Sequence, residues 1–176
     1  MKFALCNEMF EGCSMTEVCA VAQRLGYDGI EIAPFTLAPS ADEVSAEQRT
    51  ETCRIVEDHG LAVVGLHWLF AGPDGLHMTT PDTVVWQRTV DYMDTLIELC
   101  ADLGGDVLVL GSPKQRSLVG GQTQAGAWER TVDLFAAVLD RAEALDVTVC
   151  LEPLAPVETD FINTVSANIY WNSFPI

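Results

Sequence analysis

The run Thr148-Val149-Cys150-Leu151-Glu152-Pro153 is apolar until it ends in a carboxylate, and it is the fifth run of its kind in the chain. Burying a carboxylate among apolar neighbours is costly unless it is paired or metal-bound, so Glu152 offers a metal ligand or a proton-transferring base. Polar residues hold the same place on the earlier runs: Asn7 after the first, Glu31 at the end of the second, His67 after the third and Ser112 after the fourth. Parallel strands bring such groups to one mouth. Glu and His beside an apolar wall there suit a divalent ion with oxygen and imidazole ligands, or a carboxylate base held near a sugar. Plainer readings stand beside these. Glu31 in Ile-Glu-Ile also suits a solvent-facing strand position, and His67 in Gly65-Leu66-His67-Trp68 a hydrogen-bonded core histidine. Trp68, Phe70 and Phe35 offer faces for a sugar to stack on, or pack on one another. His77 and His59 read as structural or solvated, His59 at a helix C-terminus where a cation is favoured.

The elements that must position these groups follow from pattern. Strands are predicted at residues 2–6, 29–33, 62–66, 106–110 and 147–151. Near-continuous apolar runs such as Val107-Leu108-Val109-Leu110 fit strands covered on both faces, and alternation with helices implies parallel neighbours joined by right-handed crossovers. The fold class is therefore α/β, with about five parallel strands and four helices. Ser14-Met15-Thr16-Glu17 has the form of a capping box and opens a helix that stops at Leu25-Gly26. Ser40-Ala41-Asp42-Glu43 opens a second helical region in the same way, closing at His59-Gly60. Thr80-Pro81 supplies an N-cap and a proline at the first position of the third, which runs to Gly104-Gly105. The fourth presents Trp128, Val132, Phe135, Leu139 and Ala142 to the core.

Composition narrows the classes. The 176 residues are 49% hydrophobic and 20% charged, which suits a globular domain rather than a disordered or fibrous chain. A net charge of −17 with only 9 Lys and Arg disfavours nucleic acid and anionic membrane as partners. Six cysteines without a C-x-x-C pair read as buried free thiols in a reducing compartment, so a cytoplasmic location is expected. The N-terminus reads as a short strand rather than a signal peptide, and no stretch approaches the roughly 18 apolar residues of a membrane span.

Successive strands are spaced by roughly 25 to 45 residues, one βα unit each, and a complete eight-unit barrel needs about 250 residues. The pattern predicts an incomplete (β/α)8 barrel at residues 1–164, followed by an atypical tail at 165–176 that reads as foreign or truncated because helical periodicity stops.

Four segments in order carry a resemblance: Gly29-Ile30-Glu31-Ile32-Ala33-Pro34; His59-Gly60-Leu61 with Gly65-Leu66-His67-Trp68; Leu110-Gly111-Ser112-Pro113; and Leu151-Glu152-Pro153-Leu154 with Glu158-Thr159-Asp160 and Asn163-Thr164. Together they resemble the xylose-isomerase-like TIM-barrel family of sugar phosphate isomerases and epimerases. The resemblance implies a small sugar or sugar phosphate as substrate. It also implies a divalent cation (Mn, Mg, Co or Zn) held by a Glu on strand five and by Asp, His and Glu from later strands. It implies that Glu152 is metal ligand and acid/base, that Glu31, His67 and Glu158 contact the ligands or the substrate, and that the loop at residues 111–116 faces the substrate. Of the implied ligand set only Glu152 is present, which predicts a chain inactive alone and a barrel edge that pairs in a homo-oligomer. Two alternatives remain open: a non-catalytic α/β module that self-associates through that edge, and the endonuclease branch of the same superfamily, which the acidity disfavours.

Overall fold

Strands and helices alternate in the predicted order. The computed structural model describes residues 1–166. The strands are β1 (Ala4–Cys6), β2 (Gly29–Ile32), β3 (Ala62–Leu66), β4 (Val107–Leu110) and β5 (Thr148–Leu151). The helices are α1 (Met15–Leu25), α2 (Ala46–Asp58), α3 (Thr83–Asp102) and α4 (Gln124–Ala144). All five strands pair in parallel, in the order β1-β2-β3-β4-β5. That order never reverses, as it must in a doubly wound sheet, so each βα unit adds on the same side and the architecture is that of a barrel wall. The expectation for residues 165–176 lies outside the described residues from position 167 onward.

Register divides the sheet into two faces. Leu5 pairs with Ile30, Ile32 with Leu66 and Leu110 with Leu151. Ile30, Ile32, Leu66, Leu108 and Leu110 are wholly buried, and α1, α2, α3 and α4 pack against the sheet to cover this side. The alternate positions carry Cys6, Glu31, Val107, Val109, Thr148 and Cys150, which are half-buried or exposed. The apolar runs therefore have one dry face and one wetter face, the second being the barrel interior. A bulge between Ile30 and Glu31 shifts the β2–β3 register by one residue, so that Glu31 sits opposite Gly65. Gly65 has no substitute there, because a Cβ would be driven into the carbonyl of Val107 on β4.

The helix starts follow the sequence at one place and depart from it at two. Ser14 and Glu17 form the capping box of α1, and Gly26 takes the left-handed cap position at φ 80°. The second helix does not open at Ser40. Ala41 is buried with its N–H donating to the Tyr92 hydroxyl (3.1 Å), and Val44 is extended, so residues 41–43 make a single 3₁₀ turn. The box forms five residues later, between Ser45 and Gln48. Asp82, not Thr80, caps α3, because its carboxylate accepts from the N–H groups of both Val84 (2.9 Å) and Val85 (3.2 Å). On α4 the deepest stripe is Ala127, Thr131, Leu134, Phe135, Val138 and Ala142, with Trp128, Val132 and Leu139 half-buried beside it.

Candidate active site

The mouth is built from positions just past the strand ends. The N–H of His67 donates to the Ile32 carbonyl and that of Glu152 to the Leu110 carbonyl, each at 3.0 Å. The sheet ladder thus continues one residue beyond β3 and β5, and both side chains stand on sheet backbone. Cys6 pairs with Glu31, Glu31 with Gly65, and His67 lies two residues past Gly65 on the same face. The result is a histidine between two carboxylates: His67 Nδ1 lies 3.4 Å from Glu31 Oε2, and His67 Nε2 lies 3.6 Å from Glu152 Oε2. Cys6, Glu31 and His67 offer ligand atoms that all fall within 4.8 Å of one another. Gly111, just past the end of β4, leaves the room Glu152 uses, since a Cβ at 111 would sit 2.5 Å from Glu152 Oε2.

The Cys6 sulfur and the Glu31 carboxylate beside the ring raise the His67 pKa to about 10, against the opposing effect of burial. His67 is therefore an imidazolium at neutral pH, able to donate toward both carboxylates. Because its folded pKa lies above the unfolded value near 6.5, the stabilisation it contributes is complete below pH 6.5 and is lost as pH rises through about 10. We expect the urea midpoint of the wild-type chain to fall across that window, and that of His67→Gln to fall less. Parallel slopes for the two proteins would show that the imidazolium is not held.

The remaining predicted residues fall at different distances from this cluster. Trp68 follows His67 at φ 57°, is 47% exposed, and its ring centroid lies 6.4 Å from that of His67. A bulky residue in the left-handed region at a strand end is strained backbone of the kind that collects at functional sites. Ser112, at φ 45°, accepts a hydrogen bond from the Phe70 N–H (3.3 Å), pinning the loop after β4 to the loop after β3. Phe70 is wholly buried against Tyr92 and belongs to the core rather than to a pocket wall. Phe35 lines a cavity of about 560 Å³ between the loops after β1 and β2. Asn7 is buried there, donating to Thr36 Oγ1 and accepting from the Ala33 N–H, each at 2.8 Å. Glu158 is exposed and accepts from the Ala155 N–H (3.1 Å), closing its own turn. His59 faces the Ile55 carbonyl at the end of α2, and His77 faces Thr79.

Two residues of the site were not singled out from sequence. Cys6 reads as a core thiol until the β1–β2 register sets it beside Glu31. All six cysteines are free, but only Cys19 and Cys100 are buried, while Cys13 and Cys150 are exposed, so the expectation of mainly buried thiols is corrected. Arg116, expected within a substrate-facing loop, is instead fully buried. Its guanidinium donates to the main-chain carbonyls of Glu152 (2.6 Å) and Ile162 (3.2 Å). It thereby ties the end of β5 to the segment that follows.

A divalent cation suits this mouth. The Glu152 carboxylate is 38% exposed with one oxygen toward His67, and the oxygen, imidazole and thiol donors cover the range from hard to borderline ions. No helix among the described residues is long and apolar enough to cross a membrane.

Comparison with known proteins agrees with this fold. The family model described as xylose isomerase-like TIM barrel matches residues 19–170. A probable ketose 3-epimerase of Synechocystis sp. is 27% identical over 151 residues, covering 84% of this chain and 48% of its own length. The chain thus spans about half the length of that curated relative. The crystal structure of a D-psicose 3-epimerase in the presence of D-fructose superposes with a TM-score of 0.82 at 17% identity, over 98% of this chain and 59% of that one. D-psicose 3-epimerase with D-tagatose from Clostridium cellulolyticum H10 gives 0.80 at 21% identity, over 98% and 59%. At these identities the structural likenesses establish the fold.

Proposed function

The chain belongs to the xylose isomerase-like TIM barrel family, and on that premise we propose that it forms strands one to five of a divalent-metal-dependent epimerase or isomerase acting on a ketose or its phosphate. The observation that carries the reading is the placement of Glu152: a carboxylate one residue past the end of β5, oriented on sheet backbone, with Oε2 3.6 Å from His67 Nε2. Its substrate class is supported by the curated relative, whose name is that of a ketose 3-epimerase.

Epimerisation beside a carbonyl needs a base that removes the carbon-bound proton and an acid that returns one on the opposite face. Glu152 is the group here for one of those transfers, and it is also the residue that would hold the cation. A bound divalent ion supplies Lewis-acid polarisation of the substrate carbonyl and stabilises the enediolate-like charge. His67 orients the Glu152 carboxylate from behind while its other nitrogen faces Glu31. Trp68 offers an exposed ring at the rim for the C–H side of a sugar. Ser112 and Glu158 stand on the loops after β4 and β5 as candidate partners for sugar hydroxyls. A reducing, cytoplasmic setting belongs to the same reading, supported by six unpaired cysteines.

The test is proton exchange at carbon. In D₂O with added Mn²⁺, the longest polypeptide its gene encodes should place deuterium on the carbon beside the carbonyl of fructose, tagatose or ribulose and release the 3-epimer, whereas these 176 residues alone should not turn the sugars over. Absence of exchange with all three from that longest polypeptide would reject the reading.

A further inference from the structure

We propose a second cation site, independent of the ion assigned to Glu152, in which Cys6 Sγ, a Glu31 carboxylate oxygen and His67 Nδ1 bind a borderline-soft divalent ion such as Zn²⁺. The three donors come from the ends of β1, β2 and β3 and lie within 4.8 Å of one another. The His67 Nδ1 to Glu31 Oε2 distance is 3.4 Å, long for a charged hydrogen bond but close to the edge of about 3.3 Å expected between nitrogen and oxygen ligands on tetrahedral zinc. All three side chains are half-buried, so a small turn of the thiol closes the set while a fourth position stays open to water. A thiolate with imidazole and carboxylate selects zinc or cobalt over magnesium or manganese, whereas Glu152 alone offers oxygen.

The site also has the outer partner that ligating histidines require. With the ion on Nδ1, His67 keeps its proton on Nε2, and that nitrogen faces Glu152 Oε2 at 3.6 Å. A carboxylate behind the imidazole fixes the tautomer and strengthens the ligand. Binding displaces the thiol and Nδ1 protons to solvent. Glu152 would then be oriented by an ion it does not touch.

Cobalt(II) is the probe, because thiolate-to-cobalt charge transfer absorbs in the near ultraviolet and oxygen ligation does not. We expect the chain to develop this absorption with saturation at one ion per chain and to lose it when Zn²⁺ is added. Glu152→Gln, which removes only the charge of the outer partner, should still develop the absorption at saturating cobalt, with affinity weakened by no more than about 100-fold, which separates this site from the proposed catalytic one. Cys6→Ser should abolish it and weaken Zn²⁺ binding by more than about 100-fold, beyond the loss caused by removing an outer hydrogen-bond partner. The double variant Cys13→Ser/Cys150→Ser, which removes the two exposed thiols, should keep the absorption, and it keeps the test decisive if Cys6→Ser misfolds. No absorption in the wild-type chain, its survival in folded Cys6→Ser, or its loss in the double variant would overturn the proposal.

Discussion

In the longest polypeptide the gene encodes, Glu152→Gln is expected to lower metal-dependent proton exchange by about 10³-fold or more while leaving the fold intact. Removing a positioned acid/base alone costs about 10²- to 10⁴-fold, and the same change removes the charged oxygen that would hold the ion. Glutamine matches the shape of glutamate, and the Glu152 N–H to Leu110 bond and the Arg116 bond to the Glu152 carbonyl are main-chain contacts that the substitution keeps. Its unfolding free energy in urea should therefore change by less than about 0.5 kcal/mol, as for a substitution that keeps shape and main-chain contacts. The measurements are deuterium incorporation by NMR and Mn²⁺ affinity by equilibrium dialysis on one preparation. Exchange retained at the wild-type rate would remove Glu152 from the chemistry.

The second large effect is expected at Arg116. Arg116→Met fills similar volume but leaves the carbonyls of Glu152 and Ile162 without their guanidinium donor, at about 1–3 kcal/mol for each buried acceptor. Burial already pulls the Arg116 pKa below its ordinary value, with Glu152 and Glu158 opposing that shift, so part of the loss is recovered when the charge is no longer desolvated. A net loss of about 2–4 kcal/mol in urea unfolding is the expected result. Ile162 sits at φ 59°, a conformation a β-branched residue adopts only when its surroundings impose it. Release of its carbonyl should let residues 152–162 relax and loosen Glu152. In Arg116→Lys, which reaches one carbonyl but not both, Mn²⁺ affinity should fall further than stability does. Stability and metal affinity unchanged in both variants would show that the buried guanidinium is only filler.

Much of the wall was legible because it is local. Strand runs ending in Glu31, His67 and Glu152 are set by residues adjacent in sequence, as are the Ser14 capping box and the turn at Gly26. The misplaced starts of α2 and α3 show where local reading fails. Ser40-Ala41-Asp42-Glu43 and Ser45-Ala46-Glu47-Gln48 both have capping form, and the choice fell to the second because Tyr92, 51 residues from Ala41, takes the Ala41 N–H.

The sequence by itself determined an α/β chain of parallel units whose strand ends carry Glu31, His67 and Glu152, because period, caps and strand termini depend on neighbours within a turn or a strand. Tertiary structure alone decided that the β2–β3 register shifts at Glu31, that Cys6 stands beside Glu31, that His67 lies between two carboxylates, and that Arg116 turns inward to hold the backbone of Glu152. Those outcomes depend on register and on which buried polar group finds a partner, and both are settled only when strands distant in sequence meet.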